Sequence, residues 1–160
     1  EACQKWVSAR LLYSTGAYKA ADEAYGELYP ILREKGRFLF EYGHSLHKSL
    51  FYNESNKYLE EACWYSTDPM ILNIIGKNYQ ELHDYEQAEN LFQRAIHRLP
   101  GRISPYYLLA NLYVEPDFYN PDKLKEVAGI VLTKEPKVHS TAIKEMRSKV
   151  RKILEKANVE

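Results

Sequence analysis

The amino-acid sequence predicts an all-α fold: a right-handed solenoid of about four helical hairpins closed by a C-terminal capping helix. Small, apolar and aromatic residues recur at a period of 33 to 34 residues, and Pro and Gly fall between the periodic segments. After Pro136 the repeat gives way to one amphipathic pattern. A period of this length indicates stacked units that bury their apolar faces against each other. We therefore treat residues 1–160 as a single domain, with repeats at about 2–35, 36–68, 69–102 and 103–136 and a cap helix at 137–157.

The third repeat carries the clearest pattern. Its small residues are expected where the two helices of a hairpin cross closely, and its aromatic residues around that crossing. His83 and Asp84 are expected to form the turn, and Pro100 ends the second helix because it cannot continue one. The periodic residues of this repeat are Gly76, Tyr79, Tyr85, Ala88, Phe92, Ala95 and Pro100.

The second repeat matches the third at a spacing of 33, through Gly43, Leu46, Tyr52, Leu59 and Ala62, with Ser55 in the small position of Ala88. The first repeat matches the second at 34, through Ala9, Leu12, Tyr18, Ala21 and Tyr25. In the first repeat we expect a turn at Gly16 and an early end of the second helix at Pro30, which leaves residues 31–36 as a longer connection. The fourth repeat has its first helix at Tyr106, Leu109, Ala110 and Tyr113, and an enlarged turn between Pro116 and Pro121.

The C-terminal segment has the pattern of a solenoid cap. One helical face is apolar, and Ser140 or Thr141 suits the N-cap. The apolar positions are Ile143, Met146, Val150, Ile153 and Ala157. Residues 137–157 hold seven basic and two acidic side chains, in a chain whose net charge is zero. This basic face is either a solvated surface or a surface attracted to anionic lipid or lipid-linked phosphate.

Composition excludes several other classes of protein. Twenty-two basic and 22 acidic residues argue against general nucleic-acid binding, which needs excess positive charge. No apolar run is long enough to span a bilayer. The chain opens without Met or an apolar stretch, so we expect no signal peptide and a piece excised from a longer protein.

The repeat residues resemble the tetratricopeptide (TPR) pattern, which implies a scaffold that binds partners in a concave groove lined by the first helix of each hairpin. The segments GRFLFEYGHSLH (36–47), ISPYYLLANLY (103–113) and EPKVHSTAIKEMR (135–147) further resemble the C-terminal repeat domain of O-antigen ligase/polymerase family membrane proteins from Bacteroidetes. In that family, glycan transfer occurs in the membrane portion, so the resemblance assigns no catalytic residue to this chain. It implies a soluble domain of an inner-membrane protein, which we expect in the periplasm, with the cytoplasm as the alternative.

The resemblance places thirteen residues in the groove: Trp6, Arg10, Tyr13, Arg37, Phe40, His44, His47, Lys48, Asn73, Lys77, Gln80, Tyr107 and Asn111. Aromatic and cationic side chains dominate this set, which favours an anionic or sugar-bearing ligand or an acidic peptide. The Lys/Asn pattern that clamps a C-terminal carboxylate in chaperone-binding members is absent, because Trp6 and Arg10 stand in those places. The alternative is that these long side chains only cover apolar surface.

The sequence gives little evidence for catalysis or metal binding by the chain itself. Glu41, His44 and His47 share a helical spacing that can hold a transition metal, although a solvated or groove-lining surface is the simpler interpretation. The sequence has no Gly-rich phosphate loop, and Cys3 and Cys63 lack metal-type spacing, so we predict no enzyme, cofactor or metal. Two functions remain: an accessory domain of a surface-polysaccharide ligase or polymerase, which docks a partner or its own membrane part, or a free-standing adaptor for a peptide tail.

Overall fold

The structure is a computed structural model and describes residues 1–159, except the side chains of residues 158 and 159. Within this part of the chain every regular element is helical. The helices are α1 (Ala2–Ser14), α2 (Tyr18–Leu32), α3 (Gly36–Lys48), α4 (Tyr52–Ala62), α5 (Pro69–Glu81), α6 (Tyr85–Arg98), α7 (Ser104–Tyr113), α8 (Pro121–Thr133) and α9 (Thr141–Val159). A 3₁₀ turn, Pro116–Phe118, lies between α7 and α8.

The helices pair in sequence order as a solenoid of hairpins. Helices α1 to α8 form four antiparallel pairs, and each pair packs on the next. The first helices also contact one another in series, from α1 through α3 and α5 to α7, and α7 contacts α9. The structure therefore confirms the predicted helical-hairpin solenoid, and the first helices share one inner face.

Close crossings within the hairpins depend on small residues, as the repeat pattern predicts. A Cβ atom at Gly43 would lie 2.5 Å from Leu59 Cγ, and one at Gly76 would lie 2.5 Å from Phe92 Cε1. Leu59 and Phe92 are themselves fully buried. Ala62, Ala88 and Ala95 are also buried, which confirms their expected inaccessibility.

The tight turns share one backbone feature. Gly16, Leu50 and His83 occupy corresponding places in the first three hairpins, and all have a positive φ, of 87°, 70° and 64°. Only glycine adopts this region without a steric cost, so the hairpin geometry imposes it on Leu50 and His83. At the third turn Asp84 caps α6 by accepting a hydrogen bond from the Gln87 N–H at 3.4 Å.

The expected early end of the second helix at Pro30 is wrong. Helix α2 continues through Pro30 to Leu32, and the connection to α3 is short. Proline removes the hydrogen bond that residue 30 would donate to the Gly26 carbonyl, but only two residues of the helix follow it. Leu28 and Leu32 are both buried, and their packing holds the last turn in place.

The C-terminal helix begins at Thr141, directly after the Ser140 N-cap that the sequence predicts, so residues 137–140 of the expected cap segment precede the helix. Residues 137–140 are an exposed connection, and Ser140 Oγ accepts a hydrogen bond from the Ile143 N–H at 3.3 Å. Val150 is fully buried, whereas Ile143, Met146 and Ile153 are half-buried against the core of the last hairpin. The apolar face therefore covers the end of the solenoid, as predicted.

Candidate functional site

The candidate site is the inner face formed by α1, α3, α5 and α7, which carry all thirteen residues expected to line a groove. Ten of these side chains are half-buried: Trp6, Arg10, Tyr13, Phe40, His44, His47, Asn73, Gln80, Tyr107 and Asn111. Three are exposed: Arg37, Lys48 and Lys77. Hydrogen bonds of Arg10, His47 and Asn73 join each first helix to the next, so the face is cross-linked along its length.

Glu41 gathers four donors at the start of this face. Its carboxylate accepts hydrogen bonds from Trp6 Nε1 at 2.9 Å and from the buried Tyr25 hydroxyl at 3.1 Å. Arg10 Nε and Arg37 Nε lie 3.1 and 3.0 Å from Glu41 Oε2. Burial and the adjacent carboxylate raise the pKa of Tyr25. Arg10 and Arg37, expected to meet an anionic ligand, are therefore already paired within the chain.

The helical spacing of Glu41, His44 and His47 does not bring the three side chains together as a set of metal ligands among the described residues. Helical spacing places Glu41 on the same helix as the imidazoles, but its carboxylate is buried and occupied by cations and hydroxyl donors. The Glu41 side chain is also not exposed to solvent. No cluster of three or more His, Cys, Asp or Glu side chains suited to a metal occurs among the described residues.

The two histidines form the middle of the inner face. Their rings stack at a centroid distance of 6.0 Å, and Phe40 packs edge-on to His44 at 5.7 Å. The Tyr13 hydroxyl is hydrogen-bonded to His44 Nδ1. Burial, with neighbouring positive charge, lowers the pKa of His44 to about 4, and burial lowers the pKa of His47. Both imidazoles are consequently uncharged at neutral pH.

A buried network determines which nitrogen of His47 carries the proton. Asn78 Nδ2 donates to Ser55 Oγ at 2.9 Å and to Asn56 Oδ1 at 2.7 Å, so its Oδ1 is the free acceptor. His47 Nδ1 lies 2.6 Å from this oxygen and must donate to it. Ser55 Oγ in turn donates to the Gly43 carbonyl at 2.6 Å. The sequence pattern assigned Ser55 only a small size and did not identify the role of Asn78.

Lys48 and Lys77 are the cations of the inner face that remain uncompensated. Neither forms an ion pair within the described part of the chain. Although the Lys77 side chain is exposed, desolvation by its surroundings and, secondarily, the Lys48 charge lower its pKa. The same two charges contribute to the lowered pKa of His44. The positive charge of the face is thus concentrated between α3 and α5.

Polar contacts continue toward the C-terminal end of the face. Gln80 Nε2 donates to Glu115 Oε1 at 3.0 Å, and Asn73 Nδ2 lies 3.4 Å from Ser104 Oγ. Asn73 Oδ1 is buried and makes no hydrogen bond within the described residues. Tyr107 and Asn111 complete the face on α7 and are half-buried.

The basic cap helix is only partly a free surface. Arg147 turns inward, and its Nε and terminal nitrogen donate to the Val131 and Lys134 carbonyls at 3.0 and 2.6 Å. The other six basic residues of 137–157 are exposed: Lys137, Lys144, Lys149, Arg151, Lys152 and Lys156. No helix among residues 1–159 has the length and apolar character needed to cross a membrane.

Comparisons with known proteins identify the fold. No protein-family model matches the chain, and no curated protein matches it. Among solved structures, MamA from Desulfovibrio magneticus RS-1 is 16% identical with a TM-score of 0.70, covering 98% of this chain and 77% of that one. A kinesin light chain from Podospora anserina with TPR-like repeats is 13% identical with a TM-score of 0.64, covering 98% and 92%. The Yersinia enterocolitica type III secretion chaperone SycD, in complex with a peptide of the translocator YopD, is 14% identical with a TM-score of 0.57, covering 92% and 90%. The chain therefore has a TPR-like fold.

Proposed function

We propose that this chain is a non-enzymatic scaffold that binds a protein or peptide segment along the inner face of α1, α3, α5 and α7. The observation that carries the proposal is the pair Lys48 and Lys77, uncompensated among half-buried aromatic and imidazole side chains on that face. A similarly folded chaperone, SycD, has been solved with a peptide of its translocator. That complex supports a peptide as the class of partner.

Within this proposal the expected groove residues divide by role. Trp6 and Arg10 hold α1 to α3 through Glu41, and Arg37 pairs with the same carboxylate within α3, so we assign all three to shaping the face. Phe40 and Tyr107 offer aromatic area, and an exposed or half-buried ring adds contact area at little cost in side-chain entropy. A face preorganised by internal bonds loses less entropy when it binds.

The test is a selection of peptides from a displayed random library on the wild-type chain, followed by cross-linking of the selected peptides. We expect the cross-links on α1, α3, α5 and α7. The double variant Phe40→Ala/Tyr107→Ala should weaken binding at least tenfold, whereas Tyr65→Ala, at an exposed aromatic between α4 and α5, should not. Cross-links confined to the second helices, or no selected peptide at all, would contradict the proposal.

A narrower proposal rests on the sequence resemblance alone: the chain is the soluble accessory domain of an O-antigen ligase or polymerase, on the periplasmic side of an inner membrane. Its groove would then receive the enzyme's own membrane portion or an anionic glycan, and the exposed lysines of α9 would face anionic lipid. A gene that encodes a run of transmembrane segments upstream of Glu1 would support this proposal. A gene without them would favour the free-standing peptide adaptor.

A further inference from the structure

A cavity lies at the C-terminal end of the solenoid, and none of the thirteen groove residues lines it. It opens where the connection between α6 and α7 meets the connection between α8 and α9, and its volume is about 360 Å³. The two connections are in contact there, since a Cβ atom at Gly101 would lie 3.8 Å from Lys137 Cε. A cavity of this size falls in the range of small-molecule sites, roughly 300–1,000 Å³.

The walls of this cavity are mainly apolar. Leu99 and Ile103 line it beside the connection between α6 and α7, and Ile143 and Met146 line it from the first turns of α9. Ile103 is buried, whereas Ile143 and Met146 are only half-buried, although they belong to the apolar face that packs on the last hairpin. The cavity therefore leaves part of the apolar face of α9 without a partner within the described residues.

Two cations line the cavity, and no Asp or Glu of the described residues does. Arg102 and Lys137 come from different connections, and both are exposed. Neither forms an ion pair within residues 1–159. Glu135, two residues before Lys137, pairs with His139 at 3.2 Å instead. An anion at the mouth of the cavity can therefore contact both cations without displacing a carboxylate of the chain.

An alkyl chain fits these walls better than a peptide segment does. The uncharged polar side chains that line the cavity are Ser104 and Ser140, and both hydroxyls already accept hydrogen bonds within the chain. Peptide amides placed in the cavity would lose hydrogen bonds to water that these walls cannot replace. A methylene chain has no such groups, and its burial against apolar side chains is favourable.

From these observations we propose that the cavity binds a single-chain anionic amphiphile. Its alkyl chain would lie between α9 and the connection between α6 and α7, and its carboxylate or phosphate would accept charge-assisted hydrogen bonds from Arg102 and Lys137. Walls that enclose the chain suit a free molecule in solution, whereas a bilayer lipid keeps its chains among other lipids. The site goes beyond the proposed function, because no residue assigned to peptide binding lines it.

The experiment measures the binding of hexanoate, octanoate and decanoate to the whole chain by isothermal titration, below the concentrations at which they form micelles. Affinity should rise about fourfold for each added methylene until the cavity is full. The chain contains two methionines, Met70 and Met146, so NMR of methyl-labelled methionine locates the ligand. Octanoate should shift the signal of Met146, which lines the cavity, and leave that of Met70 unchanged.

Paired variants test the head group. Arg102→Gln/Lys137→Gln should weaken octanoate binding at least tenfold and change the binding of uncharged 1-octanol less than about twofold. Lys144→Gln/Lys149→Gln, which removes two exposed charges of α9 outside the cavity, is the matched control and should bind octanoate as wild type does.

Several results would overturn the amphiphile site. They are no binding of the three carboxylates, an octanoate shift at Met70 without one at Met146, and equal losses in the two double variants. Binding to phosphatidylglycerol vesicles without binding of the free carboxylates would also overturn it, and would assign the anion preference to a membrane-facing surface. None of these results bears on peptide binding to the inner face, so the proposed function stands or fails separately.

Discussion

Arg10 Nε on α1 lies 3.1 Å from Glu41 Oε2 on α3, and this ion pair joins the first helices of two successive hairpins. The carboxylate is almost fully buried, whereas Arg10 remains about one-third exposed. Arg10, which the repeat pattern predicts to line a binding surface, therefore stabilises the packing of α1 on α3.

We expect Glu41→Ala to lower the free energy of unfolding by about 1–3 kcal/mol, because the variant leaves Trp6 and Tyr25 without their acceptor and two guanidinium groups without a partner. The loss stays in this range since both arginines can still reach water. Urea unfolding followed by circular dichroism measures it. Glu27→Ala, at an exposed helical position on α2, is the control and should change stability by less than about 0.5 kcal/mol. Equal effects of the two variants would refute the role of Glu41.

Two glycine-to-alanine variants test the helix crossing. At Gly76 the new Cβ would meet the buried ring of Phe92 at 2.5 Å, so Gly76→Ala should destabilise by about 1–2 kcal/mol despite its better helix propensity. At Gly129 on α8 nothing lies within 4 Å of the new Cβ, so Gly129→Ala should stabilise by up to about 1 kcal/mol. Thermal unfolding of both variants gives the comparison. The same sign of change at both positions would be incompatible with a close crossing at Gly76.

Acidification should destabilise the chain through His44. Its folded-state pKa is about 4, against an ordinary 6.5, chiefly because of burial, and Tyr13 and Lys77 face it from α1 and α5 while His47 and Lys48 lie on its own helix. A depressed pKa means that the folded state favours the neutral ring. The stabilisation is complete above pH 6.5 and declines as the pH falls toward 4, by about 1–2 kcal/mol at pH 5.

The measurement is urea unfolding at pH 7.5 and pH 5. We expect His44→Gln to lose less stability between these values than wild type does, because the variant has no proton to take up there. His97→Gln, at an exposed position on α6, should retain the wild-type decline. If His44→Gln declines as steeply as wild type, His44 is not the responsible group.

Docking of the cap helix depends on Arg147. Its two hydrogen bonds reach the Val131 and Lys134 carbonyls, which belong to the last turn of α8 and its C-cap and lack partners in the helix itself. Arg147→Gln should therefore cost about 1–2 kcal/mol. Arg151→Gln removes the same charge from an exposed position of α9 and should be nearly neutral. Denaturant unfolding compares them, and equal stability of the two variants would rule out this anchoring role.

Local pattern accounts for much of the fold. Gly43 and Gly76 mark the crossings because only a residue without a Cβ fits there, and this requirement recurs in both repeats. The positive φ of Leu50 could not be predicted from the sequence, because leucine does not favour a left-handed backbone. The hairpin geometry imposes this conformation. The prediction that α2 ends at Pro30 is wrong because the tertiary packing of Leu32 outweighs the local helix-breaking preference of proline.

The sequence by itself determined the helical hairpins, their small crossing residues and the capping helix, because each follows from a periodic requirement of helix packing that side-chain size and polarity reveal. Only the tertiary structure decided which charges of the inner face are free. Arg10 and Glu41 are 31 residues apart, and whether they meet depends on the rotation between successive hairpins, which no periodic pattern encodes. The same packing leaves Lys48 and Lys77 without an ion pair among the described residues.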